Sequence, residues 1–333
     1  LRKLNLRLDL LRSASLRGQG VYMYANQKGC DGNRLYFDGC ACICEQGRVL
    51  AQGHQFSLND VECVTAVVDI RRSRAVRASV PSSGVQAAAQ ATVSTIFALH
   101  VPGAASRAEL LEDMHKEGPR WPSLILPHRA ACDGPQLSLS AEVVPRILLP
   151  EEEIAYGPAC WLWDYLRRTG VSGYFLPLSG GADSASTAAI VGVMCQVVSR
   201  AYAQGNQSVV RDVDRLLKRE PGMPAPSARD LCKALFFTVY MGTVNSSKET
   251  ESRARQLAQE LGCWHASQPI DGVVAASVQW IKDLTGFSPR FEGSTPENLA
   301  LQNVQARVRM VQSYLAAQLL LTAQGRSGSL LVL

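Results

Sequence analysis

The run Ser179-Gly180-Gly181-Ala182-Asp183-Ser184 is the part of this chain best equipped for chemistry. It follows the apolar stretch Gly173-Tyr174-Phe175-Leu176-Pro177-Leu178 and opens into the apolar residues 185–198, so it reads as a strand-to-helix turn. Two glycines let the backbone turn tightly and approach a ligand with no Cβ in the way. The following helix offers amides without internal partners at the positive end of its dipole, which favours phosphate. Ser179 and Ser184 add hydroxyl donors, and Asp183 has the chemistry to hold a divalent cation on the phosphates. The Gly-Lys-Ser/Thr ending of a Walker loop is missing, so the loop is of another kind.

Three other groups have reactive residue types. Arg307 and Arg309 stand two apart in a helical stretch and so point to different faces. One can meet a carboxylate or phosphate, for which arginine is well suited, while the other braces the fold. Cys40, Cys42 and Cys44 alternate with Ala41 and Ile43, which puts all three thiols on one side of a strand. A zinc site needs a paired ligand set, and the histidines at 54, 100, 115, 128 and 265 offer none nearby, so these read as buried core thiols. Cys30 lies in a glycine turn, a setting that invites comparison with a nucleophile.

The elements that position these residues form two unlike halves. Residues 1–17 carry leucines at 1, 4, 8 and 11, the spacing of one helix face, with five basic residues and one acid. Short apolar runs bounded by Asp38-Gly39 and Gln46-Gly47 then predict a meander, with a further strand from Val64 to Ile70. Seven prolines between 102 and 150 predict an irregular connector. From Pro150 the pattern alternates: a helix to Arg168, the strand before the glycine loop, and the helix after it. A strand follows near residues 235–241, then a helix from Ser247 to Gly262 and a strand at 263–267. Helices at 272–285 and 296–323 precede a final apolar run at 330–333. Such alternation predicts a parallel α/β sheet with right-handed crossovers.

Composition narrows the function classes. At 47% hydrophobic and 19% charged over 333 residues, the chain is globular rather than disordered. No uninterrupted apolar run approaches the ~18 residues of a membrane span, so no membrane role is expected. The net charge of +5, without a Lys/Arg block, gives no case for nucleic acid. Ten cysteines are too sparse for a disulfide scaffold and suit the reduced thiols of a cytoplasmic protein.

The glycine loop resembles the pyrophosphate loop of N-type ATP pyrophosphatases. The remainder of the chain is similar to one branch of them, the glutamine-dependent NAD(+) synthetases of eukaryotic type. Pro296-Glu297-Asn298-Leu299-Ala300-Leu301-Gln302-Asn303-Val304-Gln305-Ala306-Arg307-Val308-Arg309-Met310 resembles the family's segment for the deamidated dinucleotide. Tyr240-Met241 with Asn245-Ser246-Ser247-Lys248-Glu249-Thr250 resembles its second strand-to-helix turn. Upstream, Tyr24-Ala25-Asn26-Gln27-Lys28-Gly29-Cys30-Asp31-Gly32 and Ala51-Gln52-Gly53-His54-Gln55-Phe56-Ser57 resemble the far end of a nitrilase-type glutaminase domain.

The resemblance implies a fold, a reaction and a set of site residues. Residues 1–101 would be a partial, β-rich nitrilase-like remnant, with apolar faces poorly covered, and residues 102–149 a divergent linker. Residues 150–333 would be a doubly wound, adenine nucleotide alpha hydrolase-like domain. The reaction is ATP-dependent amidation of deamido-NAD to NAD through an adenylate, with glutamine or ammonia as nitrogen source, by a homo-oligomer. Pro177, Leu178, Ser179, Gly180, Gly181, Ala182, Asp183 and Ser184 would bind ATP, with Ser179 as the catalytic group. Asp183 would bind Mg²⁺, and Asn303, Arg307 and Arg309 the dinucleotide. The family's glutaminase triad would precede Leu1, which excludes Cys30 as its nucleophile, and its metal-binding glutamate would follow Leu333. Glutamine use is therefore expected to be absent, and a catalytically inactive homologue retaining nucleotide binding is the alternative.

Overall fold

A computed structural model of the chain describes residues 3–89, 138–220 and 222–333. Helix α1 (Lys3–Arg17) buries Leu4, Leu8 and Leu11, one face at helical spacing. That face lies on Cys40, Cys42, Cys44 and Val49, so the alternating cysteines are core residues, as their spacing predicts. They belong to an antiparallel sheet of β1 (Val21–Tyr24), β4 (Cys42–Glu45) and β5 (Arg48–Gln52), in the order β1-β4-β5. Strands β2 (Lys28–Cys30) and β3 (Tyr36–Asp38) form a separate hairpin. Met23 on the outer strand is 76% exposed, in keeping with an uncovered edge.

Two expectations for this half need correction. Residues 64–69 form no strand: Asp69 caps the helix α2 (Ile70–Ala78), and among the described residues the stretch before it bonds to another segment through Val67, which exchanges two bonds with Ser140. One exchange of hydrogen bonds is not a ladder, and an apolar run without a partner strand does not make one. Helix α3 (Pro81–Ala89) follows α2, and neither was expected. Of the connector, residues 102–137 lie outside the described residues. Residues 138–149 run back along the first half, where Arg146 N–H donates to Gln52 Oε1 at 2.8 Å and Gln52 Nε2 donates to the Arg146 carbonyl at 2.9 Å.

The second half opens with α4 (Pro150–Thr169), whose first turn carries Glu151, Glu152 and Glu153 at the positive end of its dipole. Four parallel strands follow: β6 (Tyr174–Pro177), β7 (Phe236–Tyr240), β8 (Trp264–Ser267) and β9 (Leu331–Val332), in the order β8-β7-β6-β9. Side chains alternate between two apolar layers. Tyr174, Leu176, Phe236 and Tyr240 face α4, α5 (Ala182–Ala203), α7 (Ala228–Leu235) and α8 (Lys248–Leu261). Phe175, Phe237, Val239 and Met241 face α10 (Thr295–Ala323), with α9 (Asp271–Thr285) beyond it. The sheet is thus doubly wound.

Two further helices, α6 (Gln207–Leu217) and α7, were not expected. Their caps are local: Asn206 accepts from Val209 N–H, and Ser227 and Asp230 form a reciprocal capping box. Helix α5 is long and apolar enough by composition to cross a membrane. Here its apolar side serves the sheet, with Ala188, Val191, Met194, Cys195 and Val198 buried in the first layer.

Candidate functional site

In the strand order β8-β7-β6-β9, the chain leaves β6 toward β7 on one side, while β9 pairs with β6 on the other. The glycine loop therefore sits at the topological switch point, where the carboxyl ends of neighbouring strands open a crevice for ligands. Sequence predicted the loop, and the topology puts it at the one place in an open α/β sheet built for binding.

Residues 179–184 hold themselves in shape. Ser179 and Ser184 hydroxyls lie 2.9 Å apart, Ser179 N–H reaches Ser184 Oγ at 3.2 Å, and Gly181 N–H reaches Ser179 Oγ at 3.3 Å. Gly181 caps α5 from extended backbone. The amides of Gly180, Ala182, Asp183 and Ser184 have no acceptor among the described residues. Those four donors, at a helix N-terminus, form the anion-binding feature of the site. Leu178 departs from expectation: its side chain is in the core, and its N–H is committed to the Val239 carbonyl at 2.9 Å. It anchors the loop to β7 and has no amide left for a ligand.

The two glycines are not equivalent. Gly180 has φ +75°, and a Cβ there would drive into the Thr250 carbonyl, with the carbonyl carbon at 2.8 Å. Gly181 has φ −87°, and a Cβ there would meet Ser179 Oγ at 3.4 Å, an ordinary contact. Gly180 is thus required by the packing of α8 on the loop, whereas Gly181 leaves the ligand side of the loop open.

Helix α10 presents the other predicted residues. Val304 and Val308 face the sheet, while Asn303 and Arg307, four apart, share an exposed face. Neither makes a hydrogen bond or ion pair to residues 179–184 among the described residues. Arg309 turns inward, and its Nε donates to the Met241 carbonyl at 3.0 Å, just beyond the end of β7. Arg309 thus braces the fold where the resemblance implied a dinucleotide contact, and Arg307 stands exposed.

Asp183 is exposed, and its carboxylate makes no hydrogen bond or ion pair among the described residues. No group of three His, Cys, Asp or Glu side chains suited to a metal occurs among those residues. A lone carboxylate of this kind fits Mg²⁺ only when phosphate oxygens supply the rest of the octahedron. Cys30 is buried as a joint between halves: its N–H donates to Asp164 Oδ2 at 3.0 Å, and its carbonyl accepts from Arg168 at 3.1 Å. Cys40 is equally buried; hydrogen bonding with the Cys42 thiol, with help from Gln52 Nε2 at 3.2 Å, holds its thiol down at about 7.

Residues 158–323 match the family model described as NAD synthase. A glutamine-dependent NAD(+) synthetase of Oryza sativa subsp. indica is 46% identical over 336 aligned residues, which cover all of this chain and 42% of the rice protein. The chain thus spans about two-fifths of the length of that curated relative. Among solved structures, a glutamine-dependent NAD(+) synthetase from Cytophaga hutchinsonii superposes with a TM-score of 0.61 at 19% identity, covering 92% of this chain and 40% of that one. The glutamine-dependent NAD+ synthetase of Acinetobacter baumannii, solved in complex with adenosine diphosphate, gives 0.55 at 18% identity, covering 97% and 43%. These structural matches establish the shared α/β fold, in agreement with the doubly wound sheet described above.

Proposed function

We propose that this chain belongs to the glutamine-dependent NAD(+) synthetase family, as its similarity to the rice protein and to the NAD synthase model supports, and supplies the ATP-binding and amide-forming part of NAD synthesis. The observation that carries the reading is the loop of residues 179–184 at the switch point, with the amides of Gly180, Ala182, Asp183 and Ser184 open to a ligand. Those amides and the Ser179 and Ser184 hydroxyls would hold the phosphates of ATP. A carboxylate oxygen of deamido-NAD would attack the α-phosphorus, the bond to pyrophosphate would break, and ammonia would then displace AMP to leave the amide. Ser179, first in the loop, lies nearest the reacting phosphorus in this arrangement. Mg²⁺ held by Asp183 and the phosphates would neutralise charge on the departing pyrophosphate.

Arg307 and Asn303 would meet the dinucleotide from the exposed face of α10, and Arg309 would fix that helix to the end of β7. Across the family the nitrogen source is glutamine or ammonia, and for this chain the reading takes ammonia. The exposed apolar residues Met310, Val311, Tyr314, Leu315 and Leu319 along α10 support a homo-oligomer, which light scattering on the eluted chain would test. The reaction is tested with ATP, Mg²⁺, deamido-NAD and ammonium, following NAD, alongside calorimetry with ATP alone. ATP binding with no NAD formed would favour the inactive homologue; no ATP binding would refute the reading.

A further inference from the structure

The carbonyl that closes on Gly180 belongs to Thr250, the third residue of α8. The first turn of α8, which carries that carbonyl, is tied to the end of β7 by a short chain of hydroxyls. Thr250 Oγ1 lies 2.7 Å from the Ser247 carbonyl and 2.9 Å from the Tyr240 hydroxyl. Thr250 has one hydroxyl proton, and a carbonyl can only accept. At 2.7 Å the Thr250 proton goes to the Ser247 carbonyl, which leaves the Tyr240 phenol to donate to Thr250 at 2.9 Å, with a longer approach of 3.5 Å to the same Ser247 carbonyl. Tyr240 ends β7 with only 7% of its surface exposed. Its ring occupies the space that a Cβ at Gly242 would enter, 2.8 Å from its Cε1. One residue earlier, Val239 receives the Leu178 N–H that starts the loop. The end of β7 thus holds the phosphate loop at both points, at Leu178 directly and at Gly180 through Tyr240 and Thr250.

We propose that Tyr240 and Thr250 are positioning residues for the phosphate loop, because their hydroxyl chain sets the first turn of α8 against Gly180 and so the direction of the loop amides. The inference rests on residues 179–184 being the ATP site. Tyr240→Phe removes the donor, and Thr250→Val removes the acceptor while keeping the shape. Thr250→Ser keeps the hydroxyl. In the full 333-residue chain, each of the first two should weaken ATP binding about tenfold, which is 1.4 kcal/mol, and the serine variant should restore it.

Hydrogen exchange without nucleotide supplies a second readout, on a peptide covering residues 178–184. Exchange there should quicken in Tyr240→Phe and Thr250→Val and return to normal in Thr250→Ser. Faster exchange confined to residues 248–261, with ATP affinity within twofold of wild type, would mean the pair merely stabilises α8 and would overturn the proposal. If Thr250→Val fails to fold, Tyr240→Phe decides by the same two measurements. If the wild-type chain does not bind ATP, the proposed function falls and loop exchange alone judges the positioning. Unchanged exchange would then overturn that claim too.

Discussion

Replacing Gly180 by alanine tests the site more sharply than any other single change. The backbone there has φ +75°, a conformation that costs an L-residue roughly 1–2 kcal/mol more than glycine. The added Cβ would also stand 2.8 Å from the Thr250 carbonyl carbon, where carbon atoms prefer at least ~3.5 Å. Loop and α8 must then part by on the order of 1 Å, and displacement of that size in a positioned site costs about 100-fold. Gly180→Ala should therefore lower stability by about 2–4 kcal/mol and ATP affinity by about 100-fold, or 2.8 kcal/mol. Gly181→Ala is the control, because its φ of −87° and 3.4 Å contact let the folded state accept a methyl group. Its stability should stay within ~0.5 kcal/mol, so any loss of ATP affinity reports obstruction of the ligand itself. Urea unfolding and calorimetry with ATP measure both quantities. A Gly180→Ala protein with wild-type stability and affinity would refute the packing argument, and unchanged affinity in Gly181→Val would sink the phosphate assignment.

Further outcomes follow from the rest of the structure. Glutamine should release no ammonia with this chain, since Cys30 and Cys40 are buried in structural contacts; ammonia production abolished by a Cys30 substitution would overturn this. Iodoacetamide should modify exposed Cys63 well before Cys40, although Cys42 and Gln52 hold the Cys40 thiol down at about 7, because burial governs access; mass mapping of the native protein decides it. Arg167 pairs with buried Asp164 at 2.8 Å and with Asp60 at 2.7 Å, so Arg167→Met should cost about 3 kcal/mol, near the low end for a broken buried pair because Cys30 N–H still serves Asp164. A loss under ~1 kcal/mol in urea would contradict it. Burial pushes the Glu62 carboxyl up, but the His54 N–H and ring and the Lys28 ammonium outweigh it and hold the group below its ordinary value. Its contribution is then complete above the unfolded value of ~4.3 and fades as pH falls through the lower folded one. Urea midpoints at pH 7, 5, 4 and 3 should drop chiefly below pH 4, and Glu62→Gln should flatten that drop.

Much of the site was legible because it is built from short-range rules. An apolar run, two glycines, two flanking hydroxyls and an apolar helix are neighbours in the chain, and each acts on the next few residues. The same holds for the leucine face of α1 and the alternating cysteines of β4, where period alone assigns burial. It holds also for the capping box of Ser227 and Asp230, a local signal that marks the start of α7. The apolar run misled at residues 64–69, because such a run is a strand only when another strand supplies its hydrogen bonds. Tertiary structure alone decided the rest. Gly180 and Gly181 are identical in sequence terms, and only α8, seventy residues on, makes the first indispensable. Arg307 and Arg309 share residue type and helix, and only the Met241 carbonyl separates the brace from the available cation. Leu178 lost its ligand-binding amide to Val239 for the same reason. Each of those distinctions is a hydrogen bond or a contact between segments that only the packed sheet brings within reach.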